Sequence, residues 1–342
     1  MRQPRDCLGL PSPFRQRGRY AARLGALALC LALIAVPWFG SAFYTELAAK
    51  ALVLSIFAMS LDLLVGFSGL VSFGHAAYFG VAAYAVALLT PRSGAASLWI
   101  ALPASIAAAG LCALVIGFFV LHTRGIYFIM VTLAFAQMVY FVFHDTAIGG
   151  GSDGIYVNFR PDASLFGFKP FDLGDALHLY YFVAALALLT YLLLARLLRS
   201  PFGRALMGIR SNEHRMRSLG YPTFRYKLAA FTLAGALAGL AGFLYAVLYG
   251  FVTPELMAWN QSGNVLLMVI LGGMGTLLGA VMGALAFVGM QEAFSNLTRH
   301  WQLVMGVVIV LAVLGLPGGI ARLPARIRNA IAGTAGKRGR DG

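Results

Sequence analysis

Apolar runs close to twenty residues long recur along the 342-residue chain, separated by short polar stretches. A helix needs about 20 apolar residues to cross the roughly 30 Å hydrocarbon core of a bilayer. Such runs read as 24–39, 47–65, a third resuming after 66–80 and reaching 89, 98–121, 126–143, 177–194, 228–248, 265–290 and 303–316. The long run at 265–290 is divided by LGGMGTLLG at 271–279. Splitting it into two spans with a tight turn predicts an all-α polytopic membrane protein of about ten transmembrane helices with broken or re-entrant segments.

The second run leads into GFSGLVSFGHAAYFG at 66–80, where glycines and serines interrupt the apolar pattern and a broken helix is expected. Asp62, just before it, is the only acidic residue placed within a span, at a cost of about 2.5–3.5 kcal/mol if it stands alone. Ser68, Ser72 and His75 follow at spacings of four and three, so on a helix they share one face, with Tyr78 close by. Two readings stand. These residues line a translocation path, or Asp62 and His75 satisfy each other or backbone groups freed at the break. Gly66-Phe67-Ser68-Gly69 also matches the GxSG of rhomboid-type intramembrane proteases. Seven residues along one helix, however, set Ser68 and His75 about 10 Å apart, too far for a dyad. Glycines at 235, 239 and 242, and at 275, 279 and 283, have the spacing of closely packed membrane helices. Two glycine-interrupted segments, 66–75 and 271–279, form the kind of pair that flanks a pathway in transporters.

The only long polar interlude is SPFGRALMGIRSNEHRMRSLGYPTFRYK at 200–227. Its basic residues assign it to the cytoplasmic face. Leu206, Ile209, Met216 and Leu219 fall on one stripe, predicting an amphipathic helix over 203–219 that stops near Gly220 and Pro222. It is a solvated basic loop that fixes topology, or a docking element. With ten spans, both basic tails, 1–23 and 319–342, join it inside, leaving five of the 26 Lys and Arg outside. The loop at 144–176, rich in Asp and carrying GGGSDG, is then periplasmic, either as a hydrophilic connection or as part of a mouth contacted from outside.

Composition narrows the class further. Hydrophobic residues make up 60% and charged residues 11%, with mean hydropathy +0.81, which no single water-soluble core accommodates. The net charge of +14 resides in tails and one loop, so nucleic acid is not the implied partner. Cys7, Cys30 and Cys112 form neither a spaced pair nor a ligand set, and no GxxxxGK[ST] occurs, so neither a metal nor an ATP site is expected in the chain. An ion-coupled secondary transporter using Asp62 and His75 is the competing class.

Five blocks in order, LDLLVGFSGLVSFGHAAYFGVAAY (61–84), RGIYFIMVTLAFAQM (124–138), SPFGRALMGIRSNEHRMRSLG (200–220), AGALAGLAGFLYA (234–246) and VLLMVILGGMGTLLGAVMGA (265–284), resemble the permease of branched-chain amino acid ABC importers, the second of two paired membrane subunits. The resemblance spans about 45–318. It implies a non-catalytic, multi-pass subunit of the bacterial inner membrane with both termini cytoplasmic. Its implied partners are a second permease, two cytosolic ATPase subunits that hold ATP and magnesium, and a periplasmic binding protein. The 203–220 stretch then matches the loop such permeases insert into the ATPase. Ile209, Glu213, Met216 and Leu219 would lie in or beside its groove, Arg204 and Arg210 would orient the helix, and Gly220 would end it. Asp62 stands where the family's LSLNLL-like run has Asn, and the GGGSDG loop is not universal there. A related amino acid, an amide, urea or a small carboxylate therefore stays open as substrate beside leucine, isoleucine and valine.

Overall fold

The computed structural model describes Pro37, residues 41–315 and residues 318–322, apart from 92, 93, 95, 158 and 165–171. The expected first span at 24–39 apart from Pro37, the whole tail at 1–23 and most of that at 319–342 lie outside these residues. The described chain is helical except for one small sheet. Helix α1 (Ala42–Asp62) is extended by a wider π turn (Leu63–Ser68), and α2 is His75–Leu89. Then come α3 (Leu98–Val120), α4 (Ile126–Asp145), α5 (Ala176–Arg199), α6 (Pro201–Ser211), α7 (Glu213–Ser218), α8 (Thr223–Tyr249), α9 (Trp259–Gly272), α10 (Leu277–Leu297) and α11 (Trp301–Gly315).

Two long helices form the centre. Over its most apolar stretch α1 is almost wholly buried, α8 is mostly so, and the remaining helices pack around them. Both lack a polar face along most of their length, as expected for helices enclosed by other helices. The outer helices differ: α3 exposes Leu111, Val115 and Phe119, and α5 exposes Leu189 and Leu192, an apolar surface suited to lipid. Glycines set how closely the central elements approach. A methyl on Gly242 of α8 would collide with the Phe79 carbonyl of α2, and one on Gly239 would meet the Ala109 side chain of α3.

The expectation of about ten spanning helices is corrected. Six helices among the described residues are long and apolar enough to cross a membrane: 42–68, α3, α4, α5, α8 and α10. The apolar runs that became α2, α9 and α11 form helices of only 15, 14 and 15 residues. At 1.5 Å per residue these rise about 21–23 Å, short of the hydrocarbon thickness. Hydropathy registers an apolar run without registering how much of it is spent on a glycine turn. The run at 265–290 does divide, at a turn over 273–276 between α9 and α10.

The acidic stretch between α4 and α5 is ordered where described. Strand β1 (Ile155–Tyr156) pairs antiparallel with β2 (Phe251–Val252), which follows α8. The Leu98 amide donates to the Asp162 carbonyl at 2.9 Å, and Arg160 donates to the carbonyls of Leu173 and Gly174. This connection therefore braces the ends of α3 and α8 that point away from the 200–227 segment.

A paired substitution tests the close approach. Gly242→Ala, which meets backbone, is expected to cost about 1–3 kcal/mol, whereas Gly289→Ala on α10, with open space around it, is expected to be neutral or mildly stabilising. Thermal unfolding in detergent separates them, and equal melting temperatures would rule out the packing account.

Candidate functional site at the helix break

The chain leaves α-helical geometry directly after Asp62. The turn at 63–68 is wider than an α-turn, the Ser68 hydroxyl donates to the Leu63 carbonyl at 3.1 Å, and Gly69 reverses the backbone at φ 74°. Such π turns leave main-chain groups without their usual partners, and in a membrane interior the protein itself must supply new ones. Two distant segments do so. The guanidinium of Arg210, on α6, donates to the Gly66 carbonyl. The carboxylate of Asp62 accepts from the Gly275 amide at 2.8 Å through Oδ1. Asp62 is fully buried, and its Oδ2 has no hydrogen-bond partner among the described residues.

A residue with a side chain does not fit at the centre of this junction. A Cβ on Gly66 would lie on Asp62 Oδ1 and on the Gly275 amide. Gly275 itself has φ 79°, which glycine adopts without strain. The two glycine-interrupted segments noted in the sequence thus meet, joined by Asp62 and fastened to α6 by Arg210.

The other residues expected to line a path take different partners. Ser72 accepts from the Gly74 amide at 3.2 Å. His75 Nε2 pairs with the Ser60 hydroxyl at 2.8 Å, its ring stacks on Phe57 at 5.5 Å, and Tyr78 stands edge-on to it. Asp62 and His75 therefore do not satisfy each other, and Ser68 and His75 form no dyad. The break is also held by two hydroxyls that no sequence pattern singles out: Thr132 accepts from the Phe73 amide at 3.2 Å, and Ser262 from the Ala76 amide at 2.9 Å.

The expected single helix over 203–219 is two helices. Ser200 caps α6 and Pro201 opens it, while Asn212 interrupts it with φ −160° and caps α7 by accepting from the Arg215 amide at 2.9 Å. Asn competes for nearby backbone groups, which favours a cap over helix interior. Gly220, at φ 83°, ends α7 as expected: its amide donates to the Arg217 carbonyl and that of Tyr221 to the Met216 carbonyl, the double closure of a Schellman turn. Of the expected anchors, Ile209 is buried within the protein at 3% exposure, Met216 is half-buried and Leu219 is exposed. Arg204 is exposed, and so are the apolar Met207 and Tyr221.

Glu213 braces this segment against α8. It accepts from Arg217 at 2.6 Å, from Lys227 at 2.7 Å and from the Thr223 hydroxyl at 3.2 Å. Partial burial works against its charge, yet Lys227 and Arg217 hold the carboxyl below its ordinary 4.5. A depressed carboxylate pKa contributes stability that is fully present above the unfolded value and lost as pH falls through the folded one. The protection factors of the amides across 213–218, with the intrinsic pH dependence of exchange divided out, are therefore expected to stay flat from neutral pH down to about 4.5 and fall only below it. Glu213→Gln should lower that protection at pH 7; unchanged protection in the variant would remove the brace.

Among the described residues no group of three or more His, Cys, Asp or Glu is placed to hold a metal ion. Residues 43–313 match the family model described as branched-chain amino acid transport system / permease component. The high-affinity branched-chain amino acid transport system permease protein LivM of Escherichia coli (strain K12) is 33% identical over 318 residues, covering 87% of this chain and 74% of the relative. Its counterpart in Salmonella typhimurium is 32% identical with the same coverage. The autoinducer 2 import system permease protein LsrC of Klebsiella pneumoniae is 34% identical over 146 residues, covering 39% of this chain and 41% of the relative. No solved structure matches the chain. The family match across nearly all the described helices, together with a buried, glycine-packed helical core, shows that the chain belongs to the branched-chain amino acid transport permease family and is a non-catalytic, multi-pass permease subunit of an ABC-type amino-acid import system.

Proposed function

We propose that this permease carries branched-chain or closely related amino acids, and that the junction of Asp62, Gly66, Arg210 and Gly275 transmits work from ATPase subunits docked on the 201–218 segment. The single observation supporting this is the Arg210 contact. A side chain from the basic segment between two spans is fastened to the carbonyl of a helix break, and the same break holds the turn between α9 and α10 through Asp62. Movement of α6 would thus be felt at once by α1, α9 and α10. The substrate class rests on the family and on the names borne by its members. The assembly follows the same reading: a second permease, two cytosolic ATPases and a periplasmic binding protein, with the 200–227 segment and both termini on the cytosolic side, as the distribution of Lys and Arg favours.

Docking falls to the exposed apolar side chains of α6 and the α7 end, Met207, Leu219 and Tyr221, with Arg204 beside them. A docked helix binds through anchors it presents outward. Ile209 instead holds α6 to the membrane domain.

Reconstitution with the partner subunits separates these roles. Arg210→Gln is expected to retain the ATPase and its hydrolysis while uptake falls about tenfold, the size set by losing a charge-assisted hydrogen bond. Asp62→Asn should retain fold and part of the transport; Asp62→Leu should abolish it. Wild-type uptake in both Arg210→Gln and Asp62→Leu would end the coupling role of the junction. Leu219→Asp with Met207→Asp is expected to release the ATPase during purification, whereas Ile209→Asp should lower the melting temperature. An ATPase retained at full yield by the first pair would move docking elsewhere. For sidedness, a cysteine at 153 should react with impermeant reagents only from the periplasm and one at 204 only from the cytosol.

A further inference from the structure

The half of the bundle away from the junction contains a cleft of about 570 Å³, within the range of small-molecule sites. None of Asp62, Ser68, Ser72, His75 or Tyr78 lines it. Lys50 does, sixteen residues before Gly66 on α1 and therefore about 24 Å along the helix from the junction. The cleft is graded in the same sense on four helices. On α1 Lys50 lies one turn above Leu54, on α9 Asn264 one turn above Met268, on α10 Gln291 one turn above Phe287, and on α11 Gln302 two turns above Ile309. In each pair the hydrogen-bonding residue is farther from the junction and the apolar one nearer. Two indoles, Trp259 and Trp301, flank the polar end.

Among the described residues, Lys50 is the only charged side chain in the lining. Among the described residues its ammonium has no hydrogen bond or ion pair, although Glu46 and Glu292 lie near enough to feel its charge. A lysine within a spanning helix is costly unless a partner or water meets it. Here it faces a cleft rimmed by neutral amides and floored by hydrocarbon.

We propose that this cleft binds a small solute bearing a carboxylate and an apolar side chain, with Lys50 the anchor of the carboxylate and the Leu54, Met268 and Ile309 floor receiving the apolar end. The inference rests on the reading of the chain as a substrate-carrying permease and deepens it: the solute is held head outward, with its apolar part toward the junction. An amide or urea, lacking an anionic head, would leave Lys50 unmatched.

The test uses the transporter assembled with its partners in nanodiscs, with Cys7, Cys30 and Cys112 replaced by Ser and Asn264→Cys as reporter. Anionic sulfonatoethyl and cationic trimethylammonioethyl methanethiosulfonates are applied, and their rates at 264 are compared. The anionic reagent is expected to react faster, with the anion-to-cation ratio falling about tenfold in Lys50→Met and returning in Lys50→Arg, as removal of one nearby charge requires. A ratio unchanged by Lys50→Met, or a cysteine at 264 that neither reagent reaches, overturns the proposal. In proteoliposomes, Lys50→Met should raise the KM for labelled L-leucine about tenfold with kcat largely kept, and Lys50→Arg should restore it; equal loss in both variants counts against the anchor. If the wild-type assembly fails to take up L-leucine on ATP, the branched-chain reading fails, and the reagent ratio still decides the cleft.

Discussion

A break in a buried helix leaves main-chain carbonyls and amides where no water reaches them, and each must find a partner within the protein. The break after Asp62 meets that demand with groups remote in sequence. Arg210 supplies a donor to Gly66, Thr132 and Ser262 accept from amides that follow, and Asp62 in turn accepts from Gly275. The same bonds that make the break tolerable tie four separate parts of the chain together. Structural satisfaction and mechanical connection are here one set of contacts.

Close packing surrounds the junction. The π turn sits on the continuation of α1, the most buried helix, which also contacts α5, α8, α9 and α10. Glycine on both sides lets backbone approach backbone, so Gly66 and Gly275 cannot separate or slide without disturbing the carboxylate between them. Met207 on α6 and Leu219 beyond α7 are exposed apolar side chains on the same segment. The segment thus has Leu206 and Ile209 buried and Met207 and Leu219 exposed. At the far end of the same helices, a cleft changes from polar to apolar with depth, about 24 Å along α1 from the junction.

The family match over residues 43–313 takes in both the junction and the cleft. Lys50 and the amides of Asn260, Gln261, Asn264, Gln291 and Gln302 are the polar side chains that line the cleft beside its indoles and aliphatic residues.

Five motif blocks carried the resemblance to the family; beyond it, the sequence by itself determined the membrane setting, the all-helical class, the interruption at 66–75, the turn after 271 and the basic segment at 200–227 with its stop at Gly220. All of these follow from local signals: apolar run length, glycine and proline punctuation, and charge placement. Tertiary structure decided the rest. Run length could not tell a full span from a helix of 14 or 15 residues, because the residues of a turn are as apolar as those of a helix. The partner of Asp62 is a backbone amide 213 positions away, and the partner of Arg210 is a backbone carbonyl 144 positions away; backbone groups leave no mark in a sequence. Asn212 divides the basic helix because its capping bond outweighs one more turn of helix. Lys50 is one of the five Lys and Arg that the charge count leaves outside, and only the convergence of four helices shows that it faces a cleft.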